Sequence, residues 1–270
     1  MGSIVTAEKP TIFLVPGAWH EPDCWDAVTS QLEEYGYPFS TVQLLSSGGE
    51  SSTSVAEDAS HIRKSISRLV DAGKEIILVM HSYGGIPGTE SAKGLLKKDR
   101  QAEGKLGGII SLVYVAAFLL PPGASLASFL GFMPPWVLFD VSDSLRRHWR
   151  MLDLNDGLGD KITVDGPENI FYNDMPEPQT KDAIAKLNYQ AKPSFYTNLT
   201  YPAYQEVPAS YLLCEQDNAI PFVAQQAMVG IGGPGVTSYV CSSSHSPMFS
   251  MPGKVVEVIR ATAGEDVITA

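Results

Sequence analysis

Two stretches, "IILVM" at 76–80 and "GIISLVYVAAF" at 108–118, are apolar almost throughout and lack the polar alternation of a strand with one wet face. Strands of that kind are covered on both sides, which is the signature of a parallel sheet sandwiched between helices. The longer run, 107–123, is slightly short for a membrane span and ends on Pro-Pro-Gly, so a buried strand followed by a loop fits it better. No stable membrane insertion is expected.

The rest of the chain fits that sheet. "TIFLVPG" (11–17) predicts a strand that stops in a tight turn. A helix follows over 23–37, with Asp23 as N-cap and Gly36 as its stop, then a strand over 39–45. In 54–73 a stripe at positions 55, 58, 62, 66, 69 and 70 has the spacing of a helix lying on a sheet, and Gly73 closes it. A strand over 75–81, a helix over 89–99 and a strand over 108–118 come next. The pattern resumes with strand 209–217, helix 221–230, strand 237–244 and helix 253–264. Between about 120 and 202 the rhythm fails. That part is rich in Pro and aromatics, with helical periodicity where any exists. The expectation is one α/β domain over 1–270: a mostly parallel central sheet flanked by helices, with a core of about 8–119 and 203–268 and a mainly helical cap insertion over about 120–202.

Composition narrows the partners. The 270 residues carry a net charge of −11, and adjacent basic pairs such as Lys97-Lys98 and Arg146-Arg147 do not grow into a larger Lys/Arg cluster. No nucleic-acid partner is therefore expected. Cys24, Cys214 and Cys241 are too few and too scattered for a disulfide framework. No ligand spacing supports a metal, and no cofactor motif is present. The start "MGSIVTAEKP" lacks an export signal, so a cytoplasmic protein is expected. Gly2 followed by Thr6 fits the myristoylation pattern, though "MGS" is equally what cloning leaves behind. A homodimer stays open.

The strand at 75–81 runs into His-Ser-Tyr-Gly-Gly. In open parallel sheets, ligands sit beyond the carboxyl ends of the strands, where Ser82 falls. A strand turning abruptly into a helix pushes its corner side chain out of the sheet, and Gly84 relieves the crowding. The N–H of Tyr83, in the first turn, is free for an oxyanion. The turn after the first strand supplies a second donor. Pro16 has no N–H, so Ala18, after the flexible Gly17, is the candidate. The plain alternative is a serine capping a helix.

A serine nucleophile needs a histidine base, and the base needs a carboxylate. Of five histidines, His61 lies on the solvent face of a helix, and His148 sits between Arg147 and Trp149 in the insertion. His81 should point away from Ser82. His20 either lines the site or makes a structural hydrogen bond. His245, in the loop after the last strand, is left as the base. The carboxylate is Asp217, with Glu215 as second choice; the chain order Ser82, Asp217, His245 favours Asp217.

These residues resemble the α/β-hydrolase superfamily. "FLVPGAWHEPDCWDAV" resembles the opening of its esterase and hydroxynitrile-lyase branch, which includes plant methylesterases; "HSYGG", "QDNAIP…SSHSP" and "FYNDMP" match the same branch. The resemblance implies an α/β-hydrolase fold with Ser82 as nucleophile, His245 as base, Asp217 as orienting acid, and the N–H groups of Ala18 and Tyr83 as oxyanion hole. Two positions depart from the pattern: Pro16 replaces the usual histidine and Met80 a glycine. The branch's lyases typically carry Thr where Gly17 stands and Lys where Ser246 stands, which favours hydrolysis of an ester, thioester or lactone over cyanohydrin cleavage. Gly17, Trp19, Phe132, Trp136, Tyr172 and Met248 are expected to bind a small hydrophobic substrate. Met133, Phe139, Phe171, Met175 and Tyr196 add aromatic and apolar surface, most of it serving the insertion's own core. Two alternatives remain: a non-hydrolytic enzyme of secondary metabolism on the same fold (a C–C lyase, cyclase or decarboxylating hydrolase), and an inactive ligand-binding receptor.

Overall fold

A computed structural model describes residues 8–139 and 160–267. The features noted at Gly2, Thr6, Arg146-Arg147 and His148 lie outside the described residues.

The first strand, β1 (Thr11–Val15), is buried along its whole length. After a 3-10 turn over Pro22–Trp25 comes α1 (Asp26–Glu34), so Asp23 lies within the turn and does not cap the helix. The next strand, β2 (Phe39–Thr41), is three residues long, shorter than its apolar run suggested. Then α2 (Val55–Asp71) starts on a capping box, in which Ser54 and Glu57 satisfy each other's orphan N–H groups. Its inward stripe is not apolar throughout: position 58 is a fully buried aspartate.

The central strand β3 (Glu75–His81) leads through a 3-10 turn at Ser82–Gly84 into α3 (Gly85–Ser91). The helix expected over 89–99 is two helices. Gly94 breaks it at φ +68°, and α4 (Lys97–Ala102) starts afresh before β4 (Gly108–Val115). Between β4 and β8, α5 (Leu126–Leu130), α6 (Pro167–Ile170), α7 (Glu177–Ala185) and α8 (Pro193–Tyr196) accompany three short strands among the described residues. These strands, β5 (Val137–Leu138), β6 (Lys161–Val164) and β7 (Gln190–Ala191), form a small antiparallel sheet absent from the helical expectation. At two to four residues each they are too short to show a period of two. The core closes with β8 (Ala209–Cys214), α9 (Phe222–Gly232), β9 (Val236–Cys241), α10 (Pro247–Ser250) and α11 (Pro252–Thr262).

The main sheet has the order β2-β1-β3-β4-β8-β9 with every neighbouring pair parallel. Along β3, Ile76, Leu78 and Met80 pack into one layer with α2 and α3, and Ile77 and Val79 into the other with α1 and α11. This is the period-two alternation of a strand buried on both faces. Parallel pairing puts the ends of β1, β3, β8 and β9 on one edge of the sheet. Ser82, Asp217 and His245 each follow one of those ends. No described helix is long and apolar enough to cross a membrane.

Candidate active site

Ser82 sits at φ +51°, in the left-handed region that a side chain disfavours. The turn closes because its neighbours are glycines. A Cβ on Gly84 would lie 2.3 Å from the Pro16 carbonyl oxygen, and one on Gly85 2.4 Å from the Phe118 carbonyl oxygen. Gly17 is held for the same reason, since its Cβ would meet the His81 ring at 2.7 Å. Met80, at the position where the pattern has glycine, finds its room at Gly88. A Cβ there would stand 2.5 Å from the Met80 sulfur.

The Ser82 hydroxyl lies 2.9 Å from Nε2 of His245, whose Nδ1 lies 2.8 Å from Oδ2 of Asp217. The carboxylate can only accept, so Nδ1–H donates to Asp217 and Nε2 is left to accept from Ser82. All three side chains are buried. Asp217 is firmly held. Its Oδ1 accepts the N–H groups of Ala219 and Ile220, and its Oδ2 accepts Nε2 of Gln225 at 3.1 Å. Gln225, fully buried on α9, also joins both backbone groups of Cys214 and the carbonyl of Ile220. No motif in the sequence marks it. A polar residue on the same buried face as Met228 was the available signal. Glu215, the second choice, bonds Ser242 on the surface instead.

Two other histidines brace the site. His81 points away from the Ser82 hydroxyl, and its Nε2–H donates to the His245 carbonyl at 2.8 Å. Burial pushes its pKa well below the ordinary value, with His245 and His20 adding to the effect. His20 gives Nδ1–H to the Ala18 carbonyl and accepts the Tyr172 hydroxyl at Nε2, each at 2.8 Å. Burial pushes its pKa down to about 4. Both imidazoles are therefore neutral supports, His20 as a hydrogen-bonding post under the turn that carries Ala18.

Above Ser82 and His245 lies a narrow, mainly apolar cavity. Its walls include Ala18, Trp19, Tyr83, Phe118, Leu126, Leu130, Met133, Trp136, Phe171, Phe195 and Ile220, with no charged side chain among them. Of the residues expected to bind substrate, Trp19 and Trp136 line this cavity. Four expected residues do not. Phe132 is 71% exposed and off the cavity. Tyr172 is buried and occupied with His20. Met248 packs in the opposite layer, beneath the sheet with α11. Gly17 contributes clearance for the turn, not wall. Phe171, Phe118 and Phe195 take the places those residues were expected to fill. The "FYNDMP" segment also ties down the loops at the two strand ends. The Ser244 N–H donates to Asp174, the Ser244 hydroxyl to the Phe171 carbonyl, and Asn173 to the Gln216 carbonyl.

The chain matches the alpha/beta hydrolase family over residues 12–258 and belongs to it. It is 33% identical to the alpha/beta hydrolase nvfD of Aspergillus novofumigatus, over 95% of this chain and 98% of that one. It is 26% identical to methylesterase 7 of Arabidopsis thaliana, over 91% and 93% of the two chains. The crystal structure of the methylesterase MES16 from Arabidopsis superposes with a TM-score of 0.71 at 21% identity, covering 95% of this chain and all of that one. The protein is accordingly an alpha/beta hydrolase, and methylesterases are among the proteins it is similar to along most of its length.

Proposed function

We propose that this protein is a serine hydrolase that cleaves an ester, thioester or lactone of a small hydrophobic substrate through an acyl-enzyme. The observation that carries this reading is the unbroken chain of hydrogen bonds from Ser82 through His245 to Asp217 at the floor of an apolar cavity. His245 takes the Ser82 proton as Oγ bonds to the carbonyl carbon, and the carbonyl electron pair moves onto its oxygen. The N–H groups of Ala18 and Tyr83 receive that charge; in comparable sites one such donor is worth about 3–4 kcal/mol. The oxyanion collapses, the bond to the leaving group breaks, and His245 protonates that group. Water then repeats the sequence on the acyl-enzyme, and the acid departs. Asp217 keeps the imidazole in the tautomer this requires and steadies its positive charge.

The described walls, apolar and aromatic, favour a neutral acyl part with ring or branched hydrocarbon surface, and the relatives named methylesterase make small methyl esters the first compounds to try. The test is turnover of p-nitrophenyl esters of increasing acyl length, and of methyl esters, by wild type and Ser82→Ala in oxygen-18 water. We expect label in the acid product and a loss of about 10⁴-fold or more in Ser82→Ala. Products formed without label would point to lyase or cyclase chemistry on the same scaffold. No turnover with any ester would leave the receptor reading.

A further inference from the structure

A buried polar network outside the three residues of the mechanism reaches both sides of the oxyanion hole. At its centre is Asp58, fully buried in α2 on a stripe otherwise made of aliphatic residues. Its Oδ2 accepts the Tyr83 hydroxyl at 2.8 Å and the Ser46 hydroxyl, and its Oδ1 accepts the Ser46 N–H at 3.0 Å. Tyr83 is the residue whose backbone N–H forms one half of the hole. The second arm runs through Ser46. Its hydroxyl accepts Nε2 of Gln190 at 2.7 Å, and Gln190, also fully buried, accepts the Trp19 N–H at Oε1. Trp19 directly follows Ala18, the other half of the hole, and is itself held at φ +66°. Its indole N–H is tied to the Ile162 carbonyl and its own carbonyl to the Asn188 N–H. The side chain of Tyr83 and the peptide that follows Ala18 are thus anchored, by separate arms, to one carboxylate.

A carboxylate on an aliphatic stripe is destabilising unless it is fully hydrogen-bonded, and replacing it with a leucine-like residue would pack the helix as well. Stability alone gives no reason to keep it there. Resting on the ester-hydrolase reading above, we propose that Asp58 is a positioning residue that, through Tyr83 on one side and Ser46, Gln190 and Trp19 on the other, holds the two oxyanion donors in a single preset orientation. Preset donors stabilise the charge as it forms without having to turn at the moment of reaction. Trp19 and Tyr83 also line the cavity, but apolar contact with their rings does not depend on how the two N–H groups are aimed, so loss of that aim falls chiefly on the transition state.

The experiment compares wild type with Tyr83→Phe, Gln190→Met and Asp58→Asn. For each, kcat and KM are measured on the best ester, together with the affinity of two inhibitors sharing its acyl skeleton. One is a trifluoromethyl ketone: Ser82 adds to its carbonyl carbon, the proton passes to His245, and the former carbonyl oxygen becomes an oxyanion in the hole. The other is the matching secondary alcohol, which forms no oxyanion. We expect kcat to fall about 10- to 100-fold in each variant. Ketone affinity should fall by the same factor, with KM and alcohol affinity holding within about two-fold. Folded variants with wild-type kcat and ketone affinity would overturn the proposal, as would equal losses for ketone and alcohol. Tyr83→Phe, which keeps the ring against Phe195, decides the matter if Asp58→Asn does not fold. A wild type that neither turns over esters nor binds the ketone refutes the hydrolase reading itself. Active wild type with indifferent variants refutes only this one.

Discussion

Ser82 and Trp19 are held in backbone conformations that cost side chains of their kind about 1–3 kcal/mol each, and both flank the place where the reaction would occur. Such strain persists only where surrounding contacts over-determine it. Here those contacts are the glycines of the turn and the hydrogen bonds of β6 and β7 to Trp19. Asp217→Asn keeps the shape of the side chain but can offer His245 an amide N–H, favouring the wrong tautomer. We expect kcat to fall by about 10³- to 10⁴-fold with little change in KM, measured on the best ester. His20 yields a prediction about stability. Its folded pKa of about 4 lies below the ordinary 6.5, so between those values the unfolded chain binds a proton that the folded one refuses. Stability is full above about pH 6.5 and falls as the pH drops towards 4, by about 3 kcal/mol from this residue. His81 acts in the same direction. Denaturant titrations at several pH values should show a shallower decline in His20→Asn, which keeps a donor for the Ala18 carbonyl. An unchanged decline would mean that His20 is not the group refusing the proton.

At the scale of elements, the turn from β3 into α3 is the decisive joint. Gly84→Ala drives a methyl group against the backbone oxygen of Pro16, which cannot move without shifting β1. We expect a loss of about 3 kcal/mol or more, read as a drop in the denaturation midpoint, or no folded protein. Gly88→Ala meets only the flexible Met80 side chain, so a loss of about 1–2 kcal/mol is expected, relieved by adding Met80→Ala. Failure of that rescue would show that Gly88 serves something other than clearance for Met80. The same elements show what sequence can carry. β3 and β4 were legible because strands covered on both faces lose their polar alternation. The α3–α4 break was not, since Gly94 sits in a run whose composition suits a helix on either side. The strands β5, β6 and β7 were hidden because their stability comes from partners distant along the chain, not from local pattern.

For the molecule as a whole, the six parallel strands bring Ser82, Asp217 and His245 to one edge, 28 and 163 residues apart along the chain in the two hydrogen-bonded pairs. That convergence was legible because a strand's carboxyl end is fixed by its direction, whatever lies between strands. The cavity wall was legible only in part. Aromatic and methionine side chains announce burial, not the side on which they are buried. Tyr172 and Met248 therefore sit behind or beneath the site while Phe118 and Phe195 face it. Gln225 was overlooked because its value lies in long-range hydrogen bonds that leave no motif, and Asp58 reads in the sequence only as one position of a stripe packed on the sheet. The wall also sets the range of substrates. Trp136→Ala should raise kcat/KM for bulkier acyl groups relative to acetate, and an unchanged preference would remove Trp136 from the acyl site. An activated Ser82 oxygen is what the whole arrangement serves, and labelling with a fluorophosphonate followed by peptide mass mapping reads that activation without need of a known substrate. One adduct is expected, on Ser82, formed rapidly in the native protein and far more slowly in His245→Ala. A native protein left unlabelled, or labelled at another residue, would contradict it.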